Sequence, residues 1–283
     1  MARIVAVHGI GQQQLGPETL RARWLPNLRD GLQLAGARPV GDQDLECAFY
    51  GNLFRRQGTK SLGDPEFDAN DVDDGWEQDL LLALWREASA IDEQVPGPDA
   101  RTKLRTPQLV QRALNAMSNA RFFAEVLEKA MIFDLKQVHS YLHDLDIREQ
   151  VQASVAACIT DDTRVLVGHS LGSVVAYEAL CAHPEWPVRA LVTLGSPLGI
   201  RNLIFERLQP KPTGSIGAWP GSVDTWTNIA DTGDIVALVK ALQPLFSSAV
   251  NDIVVHNGAK AHDVTPYLTA EETGYAIAAG LAS

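Results

Sequence analysis

The sequence predicts an α/β fold in which a mainly parallel sheet of about six strands carries helices on both faces. Three observations carry that expectation. Short runs of valine, isoleucine and leucine alternate with longer stretches of helical period. Residues Arg164–Leu180, RVLVGHSLGSVVAYEAL, read as strand, sharp turn and helix in immediate succession. A chain of 283 residues, 46% of them apolar, can bury one substantial core, so 1–283 is read as a single domain.

In chain order, Arg3–Val7 reads as a buried strand and His8–Gln12 as the loop after it. Pro17–Leu34 repeats apolar residues at helical spacing (Leu20, Trp24, Leu28, Leu32) and stops at Gly36; Pro26 inside it is expected to kink or split the helix. Leu45–Tyr50 is a second strand. Asn52 to Asp74 is loop-like and acidic. Aligning Gly75 with the glycine of a calcium loop puts Val72 and Leu81 where oxygen ligands are required, so the match fails and a solvated acidic loop with helix-capping aspartates is expected.

Residues 52–161 form a largely helical insertion before the elbow strand and are the candidate lid. Its helices are expected over Trp76–Ala90, Pro107–Met117, Arg121–Met131, Val138–Leu142 and Arg148–Ile159, with Gln94–Thr106 as a flexible break. Trp85, Phe122, Phe123 and Phe133 read first as core and second as the wall of an acyl pocket. Beyond the elbow, Arg189–Leu194 and Thr225–Ala230 are strands separated by the Pro- and Gly-rich loop Pro210–Ser222. A short helix over Ile235–Leu242, a last strand over Asp252–His256 and a terminal helix over Glu271–Leu281 complete the chain.

A net charge of −11 argues against nucleic acid and anionic membrane as partners. Three widely spaced cysteines (Cys47, Cys158, Cys181) and no secretory signal fit reduced thiols in the cytoplasm. No apolar run approaches the roughly 18 residues of a membrane span. The sequence does not indicate an oligomeric state.

The chemistry centres on Gly168-His169-Ser170-Leu171-Gly172. Strand before and helix after make this a nucleophile elbow, with Ser170 on a strained turn and glycines where strand and helix crowd together. A serine hydroxyl needs a base, and the base needs an orienting group. Both must lie at the carboxyl ends of later strands, where the elbow lies. His262 is the preferred base and His256 the alternative. His169 is expected to pack beside the nucleophile, and His139, His143 and His183 sit on helices. Asp234 is placed ahead of Asp231, with Asp224, Asp252 and Asp263 weaker. The backbone N–H groups of Ile10 and Leu171 are the expected oxyanion donors, Gly11 being second to Ile10, and His8 is expected to hold that loop.

VHGIGQ (Val7–Gln12), VGHSLGS (Val167–Ser173), TLGSPLG (Thr193–Gly199), NIADTGDIV (Asn228–Val236) and AHDVTPYL (Ala261–Leu268) together resemble the α/β-hydrolase superfamily, especially its lipase- and esterase-like members, and occur in that family's order. The resemblance implies a Ser–Asp–His triad at the carboxyl edge of a parallel sheet and no cofactor. Two features depart from the family. The chain starts at what resembles the third strand, leaving about six. The helical stretch before the elbow is also longer than the usual single helix, while the connection Ile200–Ser222 is short. The expected activity is hydrolysis of a small-molecule carboxylic ester through an acyl-enzyme. Thioesterase, amidase or peptidase, and acyltransferase chemistry share that triad, and a catalytically silent binding protein is the rival from another class.

Overall fold

The computed structural model describes residues 2–55, 67–73, 75–98, 107–118, 128–221 and 223–282. Six strands form one all-parallel sheet: β1 (Ile4–Val7), β2 (Leu45–Ala48), β3 (Val165–His169), β4 (Ala190–Leu194), β5 (Thr225–Asp231) and β6 (Val250–Val255), in the order β2-β1-β3-β4-β5-β6. Side chains alternate across a strand, so each strand feeds two cores. Val5, Val7, Leu166 and Leu191 join one core; Ile4, Ala6, Val165 and Val167 join the other. The inner strands β1, β3 and β4 are buried on both faces because both faces are covered, while the edge strands β2 and β6 carry the exposed Glu46 and Asn251.

The first face is covered by α2 (Trp76–Ile91), α3 (Pro107–Ser118), α4 (Glu128–His143), α5 (Leu145–Ala156) and α6 (Leu171–Ala182). The second is covered by α1 (Pro17–Leu34), α7 (Val264–Thr269) and α8 (Glu271–Ala282). The helices before β3 are anchored to the rest of the fold. On α5, Arg148 pairs with Glu178 of α6 at 2.9 Å, and Tyr141 Oη of α4 donates to the same carboxylate at 2.6 Å. Trp76 Nε1 of α2 donates to the Leu203 carbonyl at 2.8 Å. A buried charge held by several donors costs several kcal/mol to strip of one partner, so these bonds fix helix positions.

Several expectations are corrected. α1 runs unbroken through Pro26, because Pro26 and Ala22, whose carbonyl loses its partner, both face solvent. The expected helices 121–131 and 138–142 give way to the continuous α4; residues 121–127, with Phe122 and Phe123, lie outside the described residues. So do 99–106 of the expected flexible break. Strand β2 ends at Ala48, two residues early.

No helix forms over 235–242. There the backbone bonds to side chains instead: Asp234 Oδ1 accepts from Val236 and Ala237 N–H, and Asp252 accepts from Leu242 and Gln243 N–H. Such side-chain acceptors compete directly with helical bonding. The short α7 has no counterpart among the expected elements; it starts at Asp263, whose carboxylate accepts the Thr265 N–H at 2.8 Å. In the acidic loop, Asp68 caps in the expected manner by accepting the Asn70 N–H. No helix among the described residues is long and apolar enough to cross a membrane.

Candidate active site

The strand order reverses direction at β1, which lies between β2 and β3. In an open parallel sheet, the carboxyl ends of strands flanking such a reversal leave a crevice. The loop after β1 and the turn after β3 flank this crevice. Ser170 occupies that turn with φ 54° and ψ −130°, a conformation costly for any residue with a Cβ. Surrounding bonds hold it there. Ser170 N–H donates to the Leu194 carbonyl at 3.0 Å, and its own carbonyl accepts from Ser173 N–H and Ser173 Oγ–H at 2.9 and 2.6 Å. A Cβ on Gly172 would lie 2.2 Å from the Val7 carbonyl oxygen, so only glycine lets α6 start this close to β1.

The structure brings Ser170, His262 and Asp234 into contact. His262 Nε2 lies 2.9 Å from Ser170 Oγ, and His262 Nδ1 lies 2.8 Å from Asp234 Oδ2. A carboxylate only accepts, so Nδ1 carries the proton toward Asp234 and Nε2 is left to accept from the serine hydroxyl. Asp234 is fully buried. Burial favours its neutral form, but His262, the Tyr267 hydroxyl and the Val236 N–H outweigh it and hold the carboxyl below its usual range.

Asp231, the alternative acid, is equally buried but committed elsewhere. Its carboxylate accepts the Gly233 N–H at 2.6 Å and the Asn257 N–H. It ties the turn after β5 to the segment after β6 and makes none of the contacts to His262. His256, the alternative base, is exposed and bonds Thr232 Oγ1 at 3.1 Å. His169, next to Ser170 in the chain, packs against His262, with Nε2 donating to the His262 carbonyl at 2.8 Å. Burial, with His262 adding to it, brings the pKa of His169 down to about 3, so the ring is neutral.

Two residues that complete the cluster were not singled out from the sequence. Tyr267 donates to Asp234 Oδ2 at 2.8 Å and accepts the Asp231 N–H at 2.7 Å. Gly195, at φ 54°, leaves room for Asp234 and His262; a Cβ there would sit 2.7 Å from Asp234 Oδ2 and 3.1 Å from His262 Nδ1. Both lie in the motif segments TLGSPLG and AHDVTPYL, which was the signal available.

On the other side of Ser170, a Cβ on Gly9 would come within 2.8 Å of Ser170 Cβ, so the loop after β1 presses against Ser170. His8 braces that loop. Its Nδ1–H donates to the Gly9 carbonyl at 2.6 Å, its Nε2 accepts the Tyr50 N–H at 3.2 Å, and the two rings stack with centroids 4.0 Å apart. Burial lowers the pKa of His8 to about 4. The Gly11 N–H points to Gln137 Oε1 at 3.4 Å. Leu171 is the first residue of α6, so its N–H has no acceptor within the helix. Ile10, Leu171 and Ser170 line one cavity.

That cavity holds about 660 Å³. Leu80, Leu84, Met117, Met131, Val138 and Ile204 give it an apolar wall built largely from the helices before β3. Arg23, Lys260 and Asp263 mark a charged side near His262, where Arg23 pairs with Asp263 at 2.7 Å. Trp85 and Phe133 are buried in the core. Among the described residues, Asp73, Glu77 and His139 place metal-ligating atoms within 4.8 Å of one another. The Lys136 ammonium, 3.2 Å from Glu77 and 3.8 Å from Asp73, already supplies a cation there. The cysteines are poor nucleophiles, since burial pushes Cys47 up to about 12 and Cys158 and Cys181 up to about 11. Comparison of the chain with protein-family models and with curated proteins yields no match.

Proposed function

We propose that this chain is a serine hydrolase of the α/β-hydrolase type that cleaves a carboxylic ester through an acyl-enzyme intermediate. The observation that carries the reading is the unbroken line of hydrogen bonds from Ser170 Oγ through His262 to Asp234. In the first step Ser170 Oγ attacks the ester carbonyl while His262 Nε2 takes its proton. Asp234 holds the imidazole in the tautomer this transfer requires and stabilises the imidazolium. The N–H groups of Ile10 and Leu171 meet the developing oxyanion. His262 then returns the proton to the departing alcohol, and a water molecule repeats the sequence to release the acid.

The apolar wall suits the acyl group, and the charged side around Arg23, Lys260 and Asp263 suits a polar leaving group. Turnover of p-nitrophenyl butyrate by the wild-type chain, with Ser170→Ala as the blank, tests the reading. Release of nitrophenol that depends on Ser170 supports it, and equal rates in both proteins refute it.

A further inference from the structure

We infer that Tyr267 is a positioning residue of the proposed reaction: its hydroxyl fixes the carboxylate oxygen of Asp234 that orients His262. The inference rests on the serine-hydrolase reading above.

Asp234 Oδ2 accepts two hydrogen bonds of equal length, from His262 Nδ1 and from Tyr267 Oη, each 2.8 Å. Oδ1 is held by the Val236 and Ala237 N–H groups at 2.9 and 3.3 Å. The backbone turn therefore fixes one oxygen and Tyr267 the other. Tyr267 is itself fixed by accepting the Asp231 N–H at 2.7 Å, which leaves its single proton directed at Asp234. Its ring is fully buried in the core beneath the sheet, five residues past His262 on α7. One hydroxyl thus joins the turn carrying the acid to the segment carrying the base. Burial, with the Asp234 and Asp231 charges adding to it, raises its ionisation far above the usual range, so the phenol keeps the proton it donates.

Groups other than Tyr267 that act on the acid–base pair are His169, with its ring 4.8 Å from that of His262, and Lys240, whose ammonium bonds the Asp234 carbonyl; the Asp231 charge acts on Lys240 and on Tyr267 itself. Asp263, paired with Arg23, adjoins His262 in the chain. None of these donates to Asp234 Oδ2 in the structure. The phenol draws charge from that oxygen, so its loss strengthens the Asp234–His262 bond and makes the imidazole more basic, while the carboxylate loses its alignment.

The test is Tyr267→Phe, which keeps the ring and removes the donor, assayed on p-nitrophenyl butyrate. Expected is a fall in kcat of roughly tenfold to a hundredfold, the worth of a hydrogen bond to a charged group, with little change in KM. The acid limb of the kcat/KM profile should move to higher pH. In an Asp234→Asn background the same substitution should cost almost nothing, because Tyr267 acts through that carboxylate. A ring-fluorinated tyrosine at 267, a stronger donor of nearly the same shape, should move the limb to lower pH and provides the reading should the Phe variant not fold. An unshifted limb in both, or an undiminished loss in the Asp234→Asn background, overturns the inference and leaves the hydrolase reading standing. No Ser170-dependent turnover by the wild-type chain overturns both.

Discussion

His262 Nε2 and Ser170 Oγ lie 2.9 Å apart across 92 residues of sequence. Two local features produce that contact. The serine stands at a positive φ on the turn between β3 and α6. The histidine is placed by the segment between β6 and α7: near its start the Asn257 N–H donates to Asp231, and at its end Asp263 pairs with Arg23 of α1 and accepts the Thr265 N–H of α7.

Removing the base should be far more damaging than removing the acid. His262→Ala is expected to lower kcat by roughly 10^6-fold, and Asp234→Asn by roughly 10^4-fold. Steady-state kinetics on p-nitrophenyl butyrate, with active sites counted by titration, measures both. An Asp231→Asn change that cost as much as Asp234→Asn without destabilising the fold would contradict the assignment of the acid.

Glycines at the crevice give a second contrast. Gly9→Ala puts a methyl 2.8 Å from Ser170 Cβ, so turnover should drop at least about tenfold in a folded protein. Gly172→Ala would meet the Val7 carbonyl at 2.2 Å, backbone against side chain, and should lower stability by about 3 kcal/mol or more. Gly16→Ala, with open space around it, is the control. Urea melts and ester turnover separate the two effects.

Most of this site is legible in the chain. Ser170, with Gly168 and Gly172, is readable because strand, turn and helix follow one another within a few residues, where local geometry dominates. The rank order of the acids is harder: Asp231 and Asp234 share one turn, and the distant Asn257 and Tyr267 show which carboxylate is committed to the fold and which faces His262. The expected helix over 235–242 failed for a related reason. Its apolar spacing is helical, but Asp252, brought in by β6, captures the N–H groups of Leu242 and Gln243. Likewise Tyr50, read as the end of a strand, leaves it to stack on His8.

Stability should fall steeply on acidification. His8 and His169 are held neutral by burial, with pKa values near 4 and 3, against about 6.5 in the unfolded chain. Between these limits the unfolded state binds more protons, so their contribution is complete above about pH 6.5 and is lost as pH falls through that window. By pH 4 the buried His8 imidazole withdraws roughly 3 kcal/mol, and His169, which is partly open to the cavity, withdraws less. Denaturant unfolding from pH 7 to pH 4 measures the slope, and a flat profile would refute a neutral His8 in the folded state.

The apolar wall should set acyl-chain preference. Leu84→Trp fills the cavity beside Met117 and Met131 and should leave p-nitrophenyl acetate turnover nearly unchanged while cutting that of the decanoate by about tenfold or more. Equal effects on both esters would place the acyl group elsewhere.

The most direct measurement is covalent labelling of the folded chain with a fluorophosphonate, followed by mass spectrometry of its peptides. A hydroxyl activated by His262 should yield a single adduct on Ser170 that disappears in His262→Ala. A folded wild-type protein that stays unlabelled at Ser170, or is labelled there equally well without His262, would contradict the account.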